Sequence, residues 1–280
     1  MVVMDIGIYW ILMNLNMGNR AFCIGNGQSR KGFNLKNLKS RGVIVGCNFL
    51  YKDFAPDILV ATDHPVMHHI YNSGYSYTAK CYFRDWMKIP QENFENMITG
   101  FFPDYRHLRA IRKSGHLIEN SRAGSNEFVL HGYNDKETGK NMVCVSWCTK
   151  DYVYNLTDII KDPEQTGWAT GPASGYIACK TINNMKEVYL IGHDFYSMGT
   201  GFNNVYKGQP FYKSDTHPSN YYIQNWILQW KKLFRWYHHI KFYKVNRKSY
   251  LNIKIPEWED CRNLEYISYE RMENQTRSLP

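Results

Sequence analysis

Short apolar runs, each closed by a polar residue, recur near the start of the chain. They are the strand within Arg20 to Gly32, Val43 to Asn48, and Ile58 to Asp63. Such runs, bounded by turn residues, are typical of strands buried on both faces of a parallel sheet. Because the carboxyl ends of parallel strands meet at one edge, we expect Asn26, Asn48 and Asp63 to lie along that edge.

A longer stretch, residues 171–197, predicts a turn, a helix and a further strand. Gly171 to Gly175 has turn and helix-start residues, and Tyr176 to Met185 has loose helical spacing. The apolar run Val188 to Ile191 predicts a buried strand that ends in the polar and aromatic residues Gly192 to Tyr196. In open α/β sheets this edge is where ligands bind, so we expect the site here.

The remaining elements follow from spacing in the same way. We expect a helix over residues 91–102, a polar surface connection over 114–140 and a central strand over 143–147. A helix with apolar residues at helical spacing starts after 217–220, a last strand covers 240–245, and the segment from 257 is loose or partly helical. Residues 197–216 are rich in Gly, Asn, Tyr and Lys and predict a mobile loop over the site.

Alternating strands and helices predict an α/β fold with a mostly parallel sheet and helices on both faces. We expect an N-terminal extension over residues 1–19, one domain over 20–250 that includes a lid at about 197–216, and a C-terminal tail over 251–280. The apolar run within the extension, Ile6 to Met13, is too short to span a bilayer.

Composition indicates the class of protein and its cellular compartment. The chain has 280 residues, 44% of them hydrophobic, which excludes a disordered protein. A net charge of +9 suits a nucleotide, a nucleic acid or a membrane surface, although scattered Lys and Arg equally suit a solvated basic face. Seven cysteines without framework spacing predict a reducing, cytoplasmic location, with contact to a membrane surface left open. We read Cys144 and Cys148 as buried thiols.

Two clusters carry candidate chemistry. In the first, Gly25 and Gly27 allow a ligand close to the backbone, and Asn26 and Ser29 offer hydrogen bonds. The pattern is neither G-x-G-x-x-G nor a P-loop, so a plain tight turn is the alternative.

The second cluster is Asp63 and His64 with His68 and His69, which has the residue types of a metal site. Surface histidines on a helix after a strand are the commoner explanation, and we expect no metal.

Six motifs in order over residues 20–250 resemble one known family. They are GNGQS (Gly25 to Ser29), CN (Cys47-Asn48), ASG (Ala173 to Gly175), YLIGHDFY (Tyr189 to Tyr196), HPSN (His217 to Asn220) and HIKFYKVNRKS (His239 to Ser249). The chain resembles the bacterial sialyltransferases of glycosyltransferase family 42, which use CMP-sialic acid. The resemblance implies a Rossmann-like domain with a mobile lid and inverting, metal-independent sugar transfer, with the nucleotide sugar as substrate and no cofactor.

The resemblance also implies residue roles at the donor nucleotide. Asn26 and Asn48, with the glycine turn Gly25, Gly27 and Ser29, would bind the nucleotide and its phosphate. Ser174 and Gly175 would hold the nucleotide.

For catalysis, the resemblance implies that Tyr196 supports the leaving phosphate and that His217 is the general base. The family's second lid tyrosine falls on Phe202 here, so Tyr206 is the substitute.

Two departures bear on the donor sugar. Asp63 stands where the family has an asparagine, and Ala169, Thr170 and Gly171 stand where the family has an arginine shortly before the Ser174-Gly175 pair. Since a carboxylate repels a sialic acid carboxylate, Asp63 favours a neutral sugar whose hydroxyls it binds.

Other functions and partners stay open. The alternatives are an Mg²⁺-dependent nucleotide- or pterin-type phosphotransferase and a nucleic-acid-binding or DNA-modifying protein. The acceptor is a glycan, a lipid-linked sugar or a modified DNA base, and an oligomer is compatible with the sequence.

Overall fold

The computed structural model describes residues 19–101, 117–118, 125–134, 139, 141–165, 167–195, 203–212 and 220–277. The strands are β1 (Arg20–Ile24), β2 (Val43–Cys47), β3 (Ile58–Ala61), β4 (Lys80–Phe83), β5 (Ile89–Pro90), β6 (Leu117–Ile118), β7 (Glu127–Asn134), β8 (Asn141–Cys148), β9 (Val153–Asn155), β10 (Glu187–Ile191), β11 (Lys241–Asn246) and β12 (Leu264–Ser268). The helices are α1 (His64–Asn72), α2 (Phe94–Phe101), α3 (Thr170–Thr181), α4 (Asn220–Trp236) and α5 (Tyr269–Thr276).

The chain divides into two compact units. The first combines the described residues up to Val60 with those from Trp168 onward, and the second spans Ala61–Gly167. The sequence predicted a single domain over 20–250 with a tail from 251. The segment predicted as a tail contains β12, which pairs in register with β11 and so belongs to the sheet of the first unit.

Six parallel strands of the first unit have the strand order of a Rossmann sheet. They lie in the order β3-β2-β1-β10-β11-β12, with β1 paired to β2 on one side and to β10 on the other. The chain therefore extends the sheet on one side of β1 with β2 and β3, and on the other side with β10, β11 and β12. The switch point between β1 and β10 is where ligands bind in open α/β sheets.

Both faces of these strands are covered, as the predicted fold class requires. On one face, alternate residues such as Phe22, Tyr189 and Tyr243 form a core with Met272 of α5. On the other face, α3 packs over β1, β2 and β10 and against α4. The α/β prediction of a parallel sheet with helices on both faces is confirmed for this unit.

The second unit has its own small sheet. Strands β5, β7, β8 and β6 lie in that order, with β7 and β8 antiparallel over their whole length. Their apolar side packs on α2 through Phe94, Phe128 and Trp147. Strands β4 and β9 of this unit pair in parallel.

Three sequence predictions about elements were wrong. The surface connection over 114–140 contains β6 and β7, because apolar residues of β7 face the second unit's core. The strand at 240–245 is not the last, since β12 follows it. Helix α3 starts at Thr170, about two turns before the predicted start, and so includes the residues taken for a turn.

Within the described residues, no helix is long and apolar enough to cross a membrane. The cysteines predicted to be buried thiols, Cys144 and Cys148, are buried and free.

Candidate functional site

The ends of β1 and β10 are tied together at the switch point by two backbone hydrogen bonds. The Gly25 N–H donates to Ile191 O (2.7 Å) and the Gly27 N–H to Gly192 O (2.8 Å). A Cβ at Gly27 would lie 2.4 Å from the carboxyl carbon of Asp194. The glycine turn was predicted to bring the backbone close to a ligand. The structure shows that its glycines are required by the approach of the residue 192–194 segment.

Asp194 holds the glycine turn through Ser29. Its carboxylate accepts the Ser29 N–H at 2.8 Å and also the Ser29 hydroxyl. The Ser29 carbonyl in turn accepts a hydrogen bond from Arg247 Nε at 3.1 Å. Ser29 is buried, so its side chain organises the turn and does not face a ligand.

Arg30, which the sequence analysis did not select, lies at the centre of this region. It is 7% exposed, and its Nη2 donates to Tyr206 Oη at 3.0 Å and to Asn26 Oδ1 at 3.4 Å. Asp53 Oδ2 lies 3.8 Å from the same nitrogen. In the sequence, the only signal for Arg30 is its position four residues after Asn26, and that signal is weak.

Asn26 joins the ends of β1 and β2. Its Nδ2 donates to Cys47 O at 3.0 Å while its Oδ1 accepts from Arg30. The side chain predicted to bind the nucleotide therefore has both ends engaged within the protein.

Asn48 follows β2 in the left-handed backbone region, with φ 50°, which asparagine tolerates better than most residues. Its Oδ1 accepts a hydrogen bond from Thr170 Oγ1 at 3.3 Å. This contact places the first residue of α3 beside the end of β2. The positive end of the α3 dipole and its first N–H groups thus face the sheet edge.

Ser174 and Gly175 lie inside α3 and away from its first turn. The Ser174 hydroxyl donates to Gly171 O at 2.6 Å and is fully buried. A Cβ at Gly175 would lie 2.5 Å from the Trp230 ring of α4. Both side-chain positions are therefore occupied by packing within and against the helix, and the first turn of α3 is formed by Thr170 and Gly171.

His193 and Trp230 lie beneath the first turn of α3. The ideal Cβ position at Gly171 is 3.0 Å from His193 Nδ1 and 3.9 Å from Trp230 Nε1. His193 Nε2 donates to Cys23 O at 3.1 Å, which leaves Nδ1 as the acceptor of a neutral ring. Burial, with nearby Lys244, lowers the pKa of His193 to about 3. Trp230 Nε1 is buried and has no hydrogen-bond partner among the described residues.

Lys244 of β11 is a second buried cation near the switch point. It is 1% exposed, and its Nζ donates to Asn246 Oδ1 at 2.7 Å. Burial lowers its pKa to about 8, while the charge of Asp194 acts in the opposite direction. Within its apolar strand this lysine looks like a surface residue, and sequence reasoning missed it.

The described part of the predicted lid, residues 203–212, is fastened to the glycine turn. The Val205 N–H donates to Asn26 O at 2.8 Å, and the Gln28 N–H donates to Asn203 Oδ1 at 2.8 Å. The Tyr206 hydroxyl donates to Asp53 Oδ2 at 2.7 Å, and burial raises the Tyr206 pKa. Tyr206, the expected substitute for the second lid tyrosine, thus contacts Asp53 and Arg30.

Asp63 lies in the second unit, two residues after β3, where it is exposed and directly precedes α1. The predicted catalytic residues Tyr196 and His217, and the remainder of the lid, lie outside the described residues.

The sequence analysis expected the histidines of α1 to lie on the surface, but not all of them do. His68 is fully buried, with Nδ1 2.7 Å from Ser146 Oγ and Nε2 2.8 Å from His131 Nδ1. His131 Nε2 faces the Asp85 carbonyl at 3.0 Å, so Nε2 carries the proton. His68 Nε2 therefore donates to His131 Nδ1, and the Ser146 hydroxyl lies between His68 Nδ1 and Asn72 Oδ1, the latter 3.1 Å away. In the described part of the chain, no group of three or more His, Cys, Asp or Glu is placed to hold a metal ion.

Comparisons with protein-family models, with curated proteins and with solved structures found no match for this chain.

Proposed function

We propose that the chain is a glycosyltransferase that moves a sugar from a nucleotide-activated donor to an acceptor hydroxyl at the switch point of the first unit. The observation that carries the proposal is the position of the first turn of α3. Thr170 contacts Asn48 at the end of β2, and Gly171 lies beside His193 at the end of β10. A helix N-terminus at a sheet's switch point is a preferred place for a nucleotide phosphate.

The donors at this edge suit a phosphate ester. The helix dipole and the N–H groups of the first turn attract negative charge, and the amide of Asn48 adds a neutral donor. The buried indole N–H of Trp230 lies under the same turn, and His193 there is neutral and presents only its Nδ1 acceptor. The site therefore stabilises an anion largely through dipoles, as a metal-independent transfer requires.

The mechanism follows from this arrangement. The bond between the anomeric carbon and the phosphate oxygen breaks, and the acceptor oxygen forms the new glycosidic bond. Donors at the first turn of α3 stabilise the charge that develops on the leaving phosphate, each worth typically about 3 kcal/mol in the transition state. His217, the base implied by the family resemblance, takes the acceptor proton, because a histidine with a pKa near 6.5 is suited to that task.

Calorimetric titration with CMP, UDP and GDP tests the proposal. Asn48→Asp keeps the shape and the tolerance of positive φ but places a carboxylate beside the phosphate. Two charges about 4 Å apart at an effective dielectric near 20 repel by roughly 4 kcal/mol, so we expect nucleotide affinity to fall at least 100-fold. The matched control is Asn184→Asp, since Asn184 is exposed and has nearly the same backbone conformation, with φ 54°.

A second arm measures release of the nucleotide from sugar nucleotides in excess EDTA. We expect the activity to persist. Loss of activity in EDTA with recovery on adding Mg²⁺ would favour the phosphotransferase alternative. If the unmodified protein and Asn48→Asp bind nucleotide with equal affinity, the phosphate does not bind at the first turn of α3.

A further inference from the structure

Arg30 is a cation whose burial is only partly compensated. It is 7% exposed, yet both hydrogen bonds that the described residues accept from it leave the same nitrogen, Nη2. Its Nε is buried and has no hydrogen-bond partner in the described part of the chain. A guanidinium carries five N–H donors. Burying its charge is costly when some of these donors have no hydrogen-bond acceptor, unless an anion binds to the group.

The nearest carboxylate is a weak counter-ion. Asp53 Oδ2 lies 3.8 Å from Arg30 Nη2, and its side chain is 52% exposed. The Tyr206 hydroxyl lies between the two groups, accepting from Arg30 and donating to Asp53. Because Asp53 is half exposed, solvent screens its carboxylate, and it compensates the positive charge of Arg30 only weakly.

The backbone makes room for this arginine at the switch point. Gly192 has φ +67°, and a Cβ there would lie 3.1 Å from Arg30 Cδ. The arginine stem therefore crosses β10 at its carboxyl end, directly beside the glycine turn. Its charge also acts on the Cys47 thiol, whose pKa it lowers against the larger raising effect of burial. The guanidinium thus lies between the ends of β1, β2 and β10.

We infer that Arg30 binds an oxyanion of the donor substrate, with Asn26, Tyr206 and Asp53 holding the guanidinium in orientation. The inference rests on the proposed function and names the charge of its substrate. The sequence analysis found no arginine in the few residues directly before Ser174 and favoured a neutral sugar. Arg30, at the end of the glycine turn, supplies a cation at the same edge of the sheet. A donor substrate that carries an acidic group therefore fits the site.

Two sources provide such an oxyanion, the nucleotide phosphate and the carboxylate of an acidic sugar. Calorimetry separates them with two contrasts: CMP against cytidine, and CMP-sialic acid against CMP. UDP against uridine and GDP against guanosine run in parallel. The variant is Arg30→Met, whose unbranched side chain keeps the packing over Gly192, with Arg30→Lys as a second variant that keeps the charge but not the planar fork.

We expect Arg30→Met to reduce at least one of the two contrasts tenfold or more, while affinity for the neutral nucleoside stays within twofold. Arg30→Lys should lose less, because the charge remains. A change confined to the first contrast assigns the phosphate, and one confined to the second assigns the sugar carboxylate. A purely structural role would weaken cytidine and CMP alike, and that result overturns the inference, as does retention of both contrasts in Arg30→Met.

The Asn48→Asp variant separates the two proposals. If Asn48→Asp loses nucleotide affinity while Arg30→Met keeps both contrasts, the phosphate site stands and the role of Arg30 is refuted. If the unmodified protein binds none of the nucleotides, the proposed function itself fails. Thermal unfolding midpoints of each variant show whether the fold is retained.

Discussion

The buried histidine chain of the second unit should make that unit sensitive to acid. His131 lies between His68, 2.8 Å away, and the ring of His64, which stacks on it with centroids 4.1 Å apart. Burial, together with the neighbouring His64, lowers the pKa of His131 from 6.5 to about 4. Burial also holds the pKa of His68 well below its ordinary value.

The sign follows from proton binding. The folded pKa of His131 is below its unfolded value, so the unfolded chain binds more protons between the two. The stability is therefore present above about pH 6.5 and is lost as the pH falls toward 4. A shift of about 2.5 units at 1.36 kcal/mol each corresponds to about 3 kcal/mol, most of which is lost by pH 4.5. His68 shifts in the same direction and adds to the loss.

Hydrogen exchange of the β7 and β8 amides between pH 7.5 and 4.5, corrected for intrinsic exchange rates, measures this loss locally. His131→Gln keeps a polar side chain but cannot titrate. It should lower stability at pH 7.5 and flatten the decline with pH, whereas His239→Gln, at an exposed histidine of the first unit, should leave the decline unchanged. An equal decline in His131→Gln and the unmodified protein would refute the assignment to this histidine.

Three further predictions test residues of the first unit, each against a control. Gly27→Ala places a Cβ 2.4 Å from the Asp194 carboxyl carbon and should cost about 1–3 kcal/mol in urea unfolding, whereas Gly100→Ala, with open space around it, should cost nothing. Tyr206→Phe should speed hydrogen exchange of the Val205 amide, because it removes the hydroxyl that contacts Arg30 and Asp53. Tyr212→Phe leaves that contact intact and should not change the rate. Equal rates in the two variants would show that the Tyr206 hydroxyl does not hold this segment in place. Because burial lowers the Lys244 pKa from 10.5 to about 8, stability should rise between those two pH values, and the rise should be absent in Lys244→Met, as urea titrations at pH 7.5 and 10 would show.

The sequence by itself located four strands of the first unit, β1, β2, β3 and β10, and the polar residues at which they end. The apolar runs of β1, β2, β3 and β10 are buried as predicted, because a strand covered on both faces requires continuous apolar residues. It also located the glycine turn and the polar end of β10, since both signals are local. The α/β class follows from the alternation of these runs with helical spacing.

Only the tertiary structure decided what these local features contact. The pairing of β1 with β10 joins residues more than 160 positions apart and creates the switch point, and no periodicity encodes that pairing. The same pairing turns Gly27 toward Asp194, and the packing of α3 on α4 buries Gly175 against Trp230. Arg30 and Lys244 look like ordinary surface cations in the sequence, because burial depends on which elements cover a side chain and not on its neighbours along the chain. Local patterns specify elements, and long-range packing specifies the environment that gives each side chain its charge state and its role.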